Sequence, residues 1–146
     1  MKAVVLTITL NFLFLFVVQS QVVNIPDKTK THFAEKYPEA KQVDWRNKAV
    51  NYVATFVLNN SKYSAWYHMD GVWDYTEETL EQSALPDNVK TALKNSRFSD
   101  WKVSSTAYIE NNKGEKLYRV EVKKGIEKKY VFYDSAGKEI RTTGLI

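Results

Sequence analysis

The chain has 146 residues, with 21 Lys and Arg against 17 Asp and Glu, a formal net charge of +4 and no cysteine. The absence of thiols excludes disulfides, thiolate catalysis and Cys-built metal sites, so the fold must hold by core packing alone. Lys and Glu are interspersed without a long basic run, which argues against nucleic-acid binding.

The first segment reads MKAVVLTITLNFLFLFVVQSQ, one Lys followed by an apolar run broken only by Thr7, Thr9 and Asn11. Val18 and Ser20 are small enough for the −3 and −1 positions of a signal-peptidase site. Residues 1–20 are therefore expected to be a leader removed near Ser20/Gln21, leaving the rest in the periplasm or secreted. The apolar stretch is short for crossing ~30 Å of hydrocarbon, so no stable membrane insertion is expected after cleavage.

Residues 25–34 read IPDKTKTHFA and residues 85–94 read LPDNVKTALK, the same phrase 60 positions later. In the first copy Ile25, Thr29, His32 and Phe33 lie on one helical stripe, with Tyr37 a turn further and Pro38 as the stop. Strand-like runs separated by turn signals follow: VDW, VNYVATFVL, KYSAWYHM and VWDYTEE, with Asp70-Gly71 as a two-residue hairpin signal. The second copy opens with Leu85, Val89, Ala92 and Leu93 on one stripe, Pro86 in the first turn and Asp87 near the positive end of the helix dipole. Its strands read WKVSSTAYIE, EKLYRVEV, IEKKYVFY and KEIRTT. An offset of 66 places Tyr52 on Tyr118, Trp66 on Phe132, Tyr67 on Tyr133 and Gly71 on Gly137. The expected fold is α+β: two tandem repeats, residues 21–80 and 81–146, each one helix followed by about four antiparallel strands, with the helices on one face of the sheet or sheets.

The leader, a helix opening on Leu/Ile-Pro, the stretch FAEKYPEAKQVDW and strands closing on Asp-Gly or Asp-x-x-Gly resemble the PepSY-like family. These are small exported proteins, common in Bacteroidetes-type bacteria and related in fold to beta-lactamase inhibitory protein. The resemblance covers about residues 25–143. It implies a non-enzymatic module that binds another protein of the cell envelope, as an inhibitor or regulator of an enzyme such as a peptidase. It supplies no catalytic motif to carry over.

The chemical inventory is thin. His32 sits on the apolar stripe of the first helix, where packing is the simplest role. His68 and Asp70 flank a hairpin turn, and two ligands do not close a metal site. No G-x-S-x-G context accompanies any serine. Glu77 and Glu78 are adjacent and so point to opposite faces of a strand, as a solvated strand end would allow. Lys123, Lys124, Lys128 and Lys129 flank a turn, where charge discourages edge aggregation. No catalytic residue, metal or cofactor is expected.

A sheet covered by helices on one face should be polar on the other. Tyr118, Val120 and Val122 alternate with Arg119, Glu121 and Lys123 in that way. The neighbouring strands break the rule: Tyr130 and Phe132 oppose Val131 and Tyr133, and Trp66 and His68 oppose Tyr63, Ala65 and Tyr67. Val53 and Val57 add apolar bulk where the second copy has charges, and Trp73 and Tyr75 are expected to share a face. Trp66, Tyr130, Phe132, Val53, Val57, His68, Trp73 and Tyr75 are thus the candidate partner-binding residues. The alternative is a periplasmic small-ligand carrier with an aromatic cleft between the repeats.

Overall fold

A computed structural model of the chain describes residues 24–145. The expected leader and its cleavage point lie outside the described residues. No helix among those described is long and apolar enough to cross a membrane.

The first helix, α1 (Asp27–Lys36), buries Thr29 and Phe33, and the second, α2 (Asp87–Lys94), buries Val89 and Leu93; Ile25 and Leu85, two residues ahead of each helix, are buried with them. Both begin after a proline, which has no amide to leave unpaired there. The Pro26 carbonyl accepts from the amides of Thr29 (3.0 Å) and Lys30 (3.2 Å), and the Pro86 carbonyl from that of Lys90 (3.0 Å). Tyr37 leaves the helical region at φ −130°, as the residue before Pro38 must.

The strands are β1 (Lys41–Lys48), β2 (Asn51–Leu58), β3 (Ser61–His68), β4 (Trp73–Leu80), β5 (Lys102–Asn111), β6 (Lys116–Lys124), β7 (Glu127–Tyr133) and β8 (Glu139–Leu145). They form one antiparallel sheet in the order of the sequence. The two units share it: β4 pairs with β5 from Tyr75↔Asn111 to Leu80↔Thr106.

The duplication extends to register. Val53 pairs with Trp66 and, 66 positions on, Arg119 pairs with Phe132. A bulge at Asp74 lies between the pairs Trp66↔Tyr75 and Tyr67↔Trp73, and its equivalent at Ile140 lies between Phe132↔Arg141 and Tyr133↔Glu139. From β1 to β5 the offset is only 61, since Lys41↔Val57 and Asp44↔Thr55 correspond to Lys102↔Lys123 and Ser105↔Glu121. The difference of five residues resides in the β5–β6 hairpin. That longer hairpin is fastened to β4, where Asn112 donates from its amide to the Asp74 carbonyl (2.8 Å) and from Nδ2 to the Trp73 carbonyl (3.2 Å).

The turn after β3 differs from a two-residue hairpin. Gly71 takes φ +85°, but Asp70 stays out of the left-handed region and accepts the Val72 amide on Oδ1 (3.0 Å). Its carboxylate thus supplies an acceptor that a tighter turn would take from the backbone. Asn59 and Asn60, both at positive φ, make the two-residue turn between β2 and β3.

Both helices cover the same sheet face. Under α1 lie Tyr52, Ala54, Phe56, Ala65 and Tyr67, and under α2 lie Val120, Val122, Val131 and Tyr133. The two cores are built differently. Ala54 and Ala65 leave room for rings, and Phe33 meets Phe56 at 5.0 Å, Trp45 at 5.3 Å and Tyr37 at 5.3 Å between centroids. The second core is mostly aliphatic, with Phe98 and Trp101 closing its end.

Candidate functional site

Residues paired across strands share a face, so the register assigns the side away from the helices. Among the described residues no second layer covers it. An apolar row crosses it from strand to strand. Val53 on β2 faces Trp66 on β3, which faces Tyr75 on β4, and the last two rings stack at 5.5 Å and 14°. The row continues as Ile109, Leu117 and Phe132, with Tyr75 and Tyr130 packed against them. Three cations lie over its rings: Arg119 (4.9 Å) and Lys128 (5.6 Å) over Tyr130 and Arg141 over Phe132 (4.2 Å). The row is therefore partly sheathed, and Val53 and Phe132 are only 4% and 7% exposed.

A pocket of about 330 Å³ opens at the junction of the two units. Its apolar floor is Ile109, Leu117 and Phe132; Tyr75, Arg119 and Arg141 stand around it, and the long β5–β6 hairpin forms one wall. The pocket thus depends on both the union of the units and the five extra residues.

The carboxylates on the strands of this face are each paired with a cation rather than freely solvated. Arg119 Nη1 donates to Glu77 Oε2 at 2.6 Å, with the two side chains 19% and 17% exposed. Burial pushes the Glu77 carboxyl up, and the Arg119 guanidinium partly offsets that. Glu121 is more enclosed, receiving Ser104 Oγ and the ammonium groups of Lys128 (2.9 Å) and Lys123 (3.5 Å). Burial works to raise its pKa, but the hydrogen bonds from Ser104 and Lys128 outweigh it and bring it down to about 2. Burial also pushes the Tyr75 phenol well above its ordinary range, so the ring stays neutral beside the pocket. Two donors on this face, Trp66 Nε1 and Arg119 Nε, are buried without an acceptor among the described residues.

The register brings Trp66, Tyr75, Val53, Tyr130 and Phe132 onto one face, with Trp66 and Phe132 at equivalent points of the two units. Val57 shares that face but lies at the far end of β2, between Lys41 and Lys62. His68 stands at its border, half-exposed, with Nε2 3.7 Å from Asp74 Oδ1. Trp73 is a correction. The bulge at Asp74 turns it to the helix side, where it stacks on His32 (6.2 Å), lies under the Lys36 ammonium (4.1 Å) and donates to Thr76 Oγ1 (3.0 Å). Glu77 is also no solvated strand end, because β5 and β6 bring Arg119 to it. The sequence reading places Arg119 on the polar face and does not single out Ile109, Leu117 or Arg141. The offset of 66, which aligns Val53 with Arg119 and Tyr75 with Arg141, was the available signal.

Residues 50–140 match the family described as "Putative beta-lactamase-inhibitor-like, PepSY-like". The chain belongs to that family. Among solved structures it is similar to a BLIP-like protein from Bacteroides fragilis NCTC 9343, at 23% identity and a TM-score of 0.75, over 86% of this chain and 89% of that one. It is similar also to DUF2874 family proteins from Bacteroides uniformis ATCC 8492 (22% identity, TM-score 0.74, 83% of this chain and 90% of that) and Bacteroides ovatus ATCC 8483 (23%, 0.74, 83% and 88%). At these identities the likeness is one of fold. No curated protein matches the chain. Among the described residues no three His, Asp or Glu side chains group so as to hold a metal ion.

Proposed function

We propose that this chain is an exported, non-enzymatic module that binds another protein of the cell envelope through the sheet face opposite its helices. On this reading residues 1–20 are removed and units 21–80 and 81–146 act in the periplasm or outside the cell as one surface. The observation that carries it is the group of half-buried rings, Trp66, Tyr75 and Tyr130, set among the buried Val53 and Phe132 on a face with no covering layer among the described residues. Rings of this kind, bordered by charge, commonly anchor protein partners. The fold shared with a BLIP-like protein supports the same reading, with inhibition of an envelope enzyme as its sharpest form.

The test is capture from envelope extract of the source organism on immobilised residues 21–146, alongside Trp66→Ala/Tyr130→Ala and Trp73→Ala variants. The first should lose the captured protein while remaining folded. Trp73→Ala should lower stability and keep the protein captured. Equal capture by all three overturns the reading. The pocket between the units favours a second reading, a carrier of a small carboxylate. That reading predicts a change in Trp fluorescence on adding small aromatic acids, with no protein captured.

A further inference from the structure

We infer that the segment of the partner seated on this face is acidic, with an apolar side chain entering the pocket at the junction and a carboxylate lying between Arg119 and Arg141. This rests on the open-face reading proposed above. Asp44, Glu77 and Glu121 are the acids that the register puts on the strands of this face, and each is already held, by Arg46 (2.9 Å), Arg119 (2.6 Å) and Lys128 (2.9 Å). Lys41, Lys48, Lys62, Lys102 and Arg141 share the face, are exposed, and have no acidic partner within salt-bridge distance among the described residues. Two acids stand at the pocket mouth, Asp74 with Oδ1 3.7 Å from His68 Nε2 and Glu115, which accepts from Asn111 Nδ2 (2.7 Å), and the cations of the whole face outnumber them.

The surplus across the face is therefore cationic, and Arg141 brings it to the edge of the apolar floor. A complementary partner brings negative charge. Complementary charge chiefly sets which partner is accepted and how fast it arrives, while the apolar contact supplies the hold. The pocket, about 330 Å³, accommodates one side chain rather than an extended lipid or a run of nucleotides.

The experiment is selection of random twelve-residue peptides displayed on phage against folded residues 21–146, followed by titration of the winners as fluorescent peptides. Arg141→Glu, a change at an exposed position, should weaken the winning peptides at least tenfold, and raising salt from 50 to 500 mM should weaken them similarly. Enriched peptides should carry net negative charge and an aromatic or aliphatic residue. Neutral or basic winners that still lose binding in Trp66→Ala/Tyr130→Ala overturn the acidic partner and leave the open-face reading standing. Winners insensitive to both variants overturn both. Tighter binding to phosphatidylglycerol vesicles than to any selected peptide also overturns the inference, since the surplus charge would then serve a membrane surface.

Discussion

Alanine at Gly137 should destabilise the fold far more than alanine at Gly125, although both glycines sit at positive φ, +83° and +59°. The conformational cost of a side chain in the left-handed region is shared, at about 1–2 kcal/mol. What differs is space. A Cβ at Gly125 has nothing within 4 Å, whereas one at Gly137 falls 2.5 Å from the carbonyl oxygen and 2.8 Å from the carbonyl carbon of Asn88. Carbon contacts settle near 3.5 Å, so α2 must move by about an ångström. That helix carries Val89 and Leu93 into the core, and overpacking of this sort adds about 1–3 kcal/mol. Gly71 meets the equivalent helix turn through the Thr29 hydroxyl (2.5 Å) and the Lys28 side chain (2.6 Å), which can yield more readily than backbone. The expected order of cost is Gly137, then Gly71, then Gly125. Urea unfolding followed by Trp fluorescence reads it directly: with a slope of about 1.5 kcal/mol/M, Gly137→Ala should bring the midpoint down by roughly 1 M more than Gly125→Ala. Equal midpoints for the two variants would refute the claim that the Asp134–Gly137 turn is wedged against α2.

Other outcomes follow from the charges beneath the proposed partner. Glu121 has a folded pKa of about 2, below its unfolded value, so its contribution is present above about pH 4.5 and is lost as pH falls towards 2. Stability measured through that window should drop by at most about 3 kcal/mol more in wild type than in Glu121→Gln. Glu77 has the opposite sign. Its pKa is raised, so its protonation on acidification favours the fold at pH values just above the ordinary glutamate pKa, and Glu77→Gln should remove that small gain. Arg119→Met, which leaves Glu77 enclosed without its partner, should cost about 2–4 kcal/mol in thermal or urea unfolding. Adding Glu77→Gln should recover most of that loss, whereas an additive double variant would show the pair to be uncoupled.

The architecture was legible because it repeats. Two Pro-Asp helix openings carry apolar residues on one stripe, and strand alternation places Tyr67 and Tyr133 under the helices in the same way. The open-face positions of Trp66, Tyr130 and Phe132 follow from that alternation. Trp73 was not legible, because a single bulged residue, Asp74, reverses parity without leaving a mark on composition. The shared sheet was equally hidden: Leu80↔Thr106 and its neighbours pair across a helix and two connections. Arg119 and Glu77, 42 positions apart, read as solvent-facing charges until β4 and β5 join and bring them together. The pocket depends on the same junction and on the lengthened β5–β6 hairpin, so alternation within one strand could not reveal it.

Site-specific photo-crosslinking tests the central claim most directly. Benzoylphenylalanine placed at Thr79 or Thr143, exposed positions on the sheet face opposite the helices, should capture an envelope protein on irradiation in the source organism. The same group at Lys30 on α1 or Lys94 on α2, both exposed, should capture none. Adducts confined to the helix positions, or absent from all four, would contradict the account.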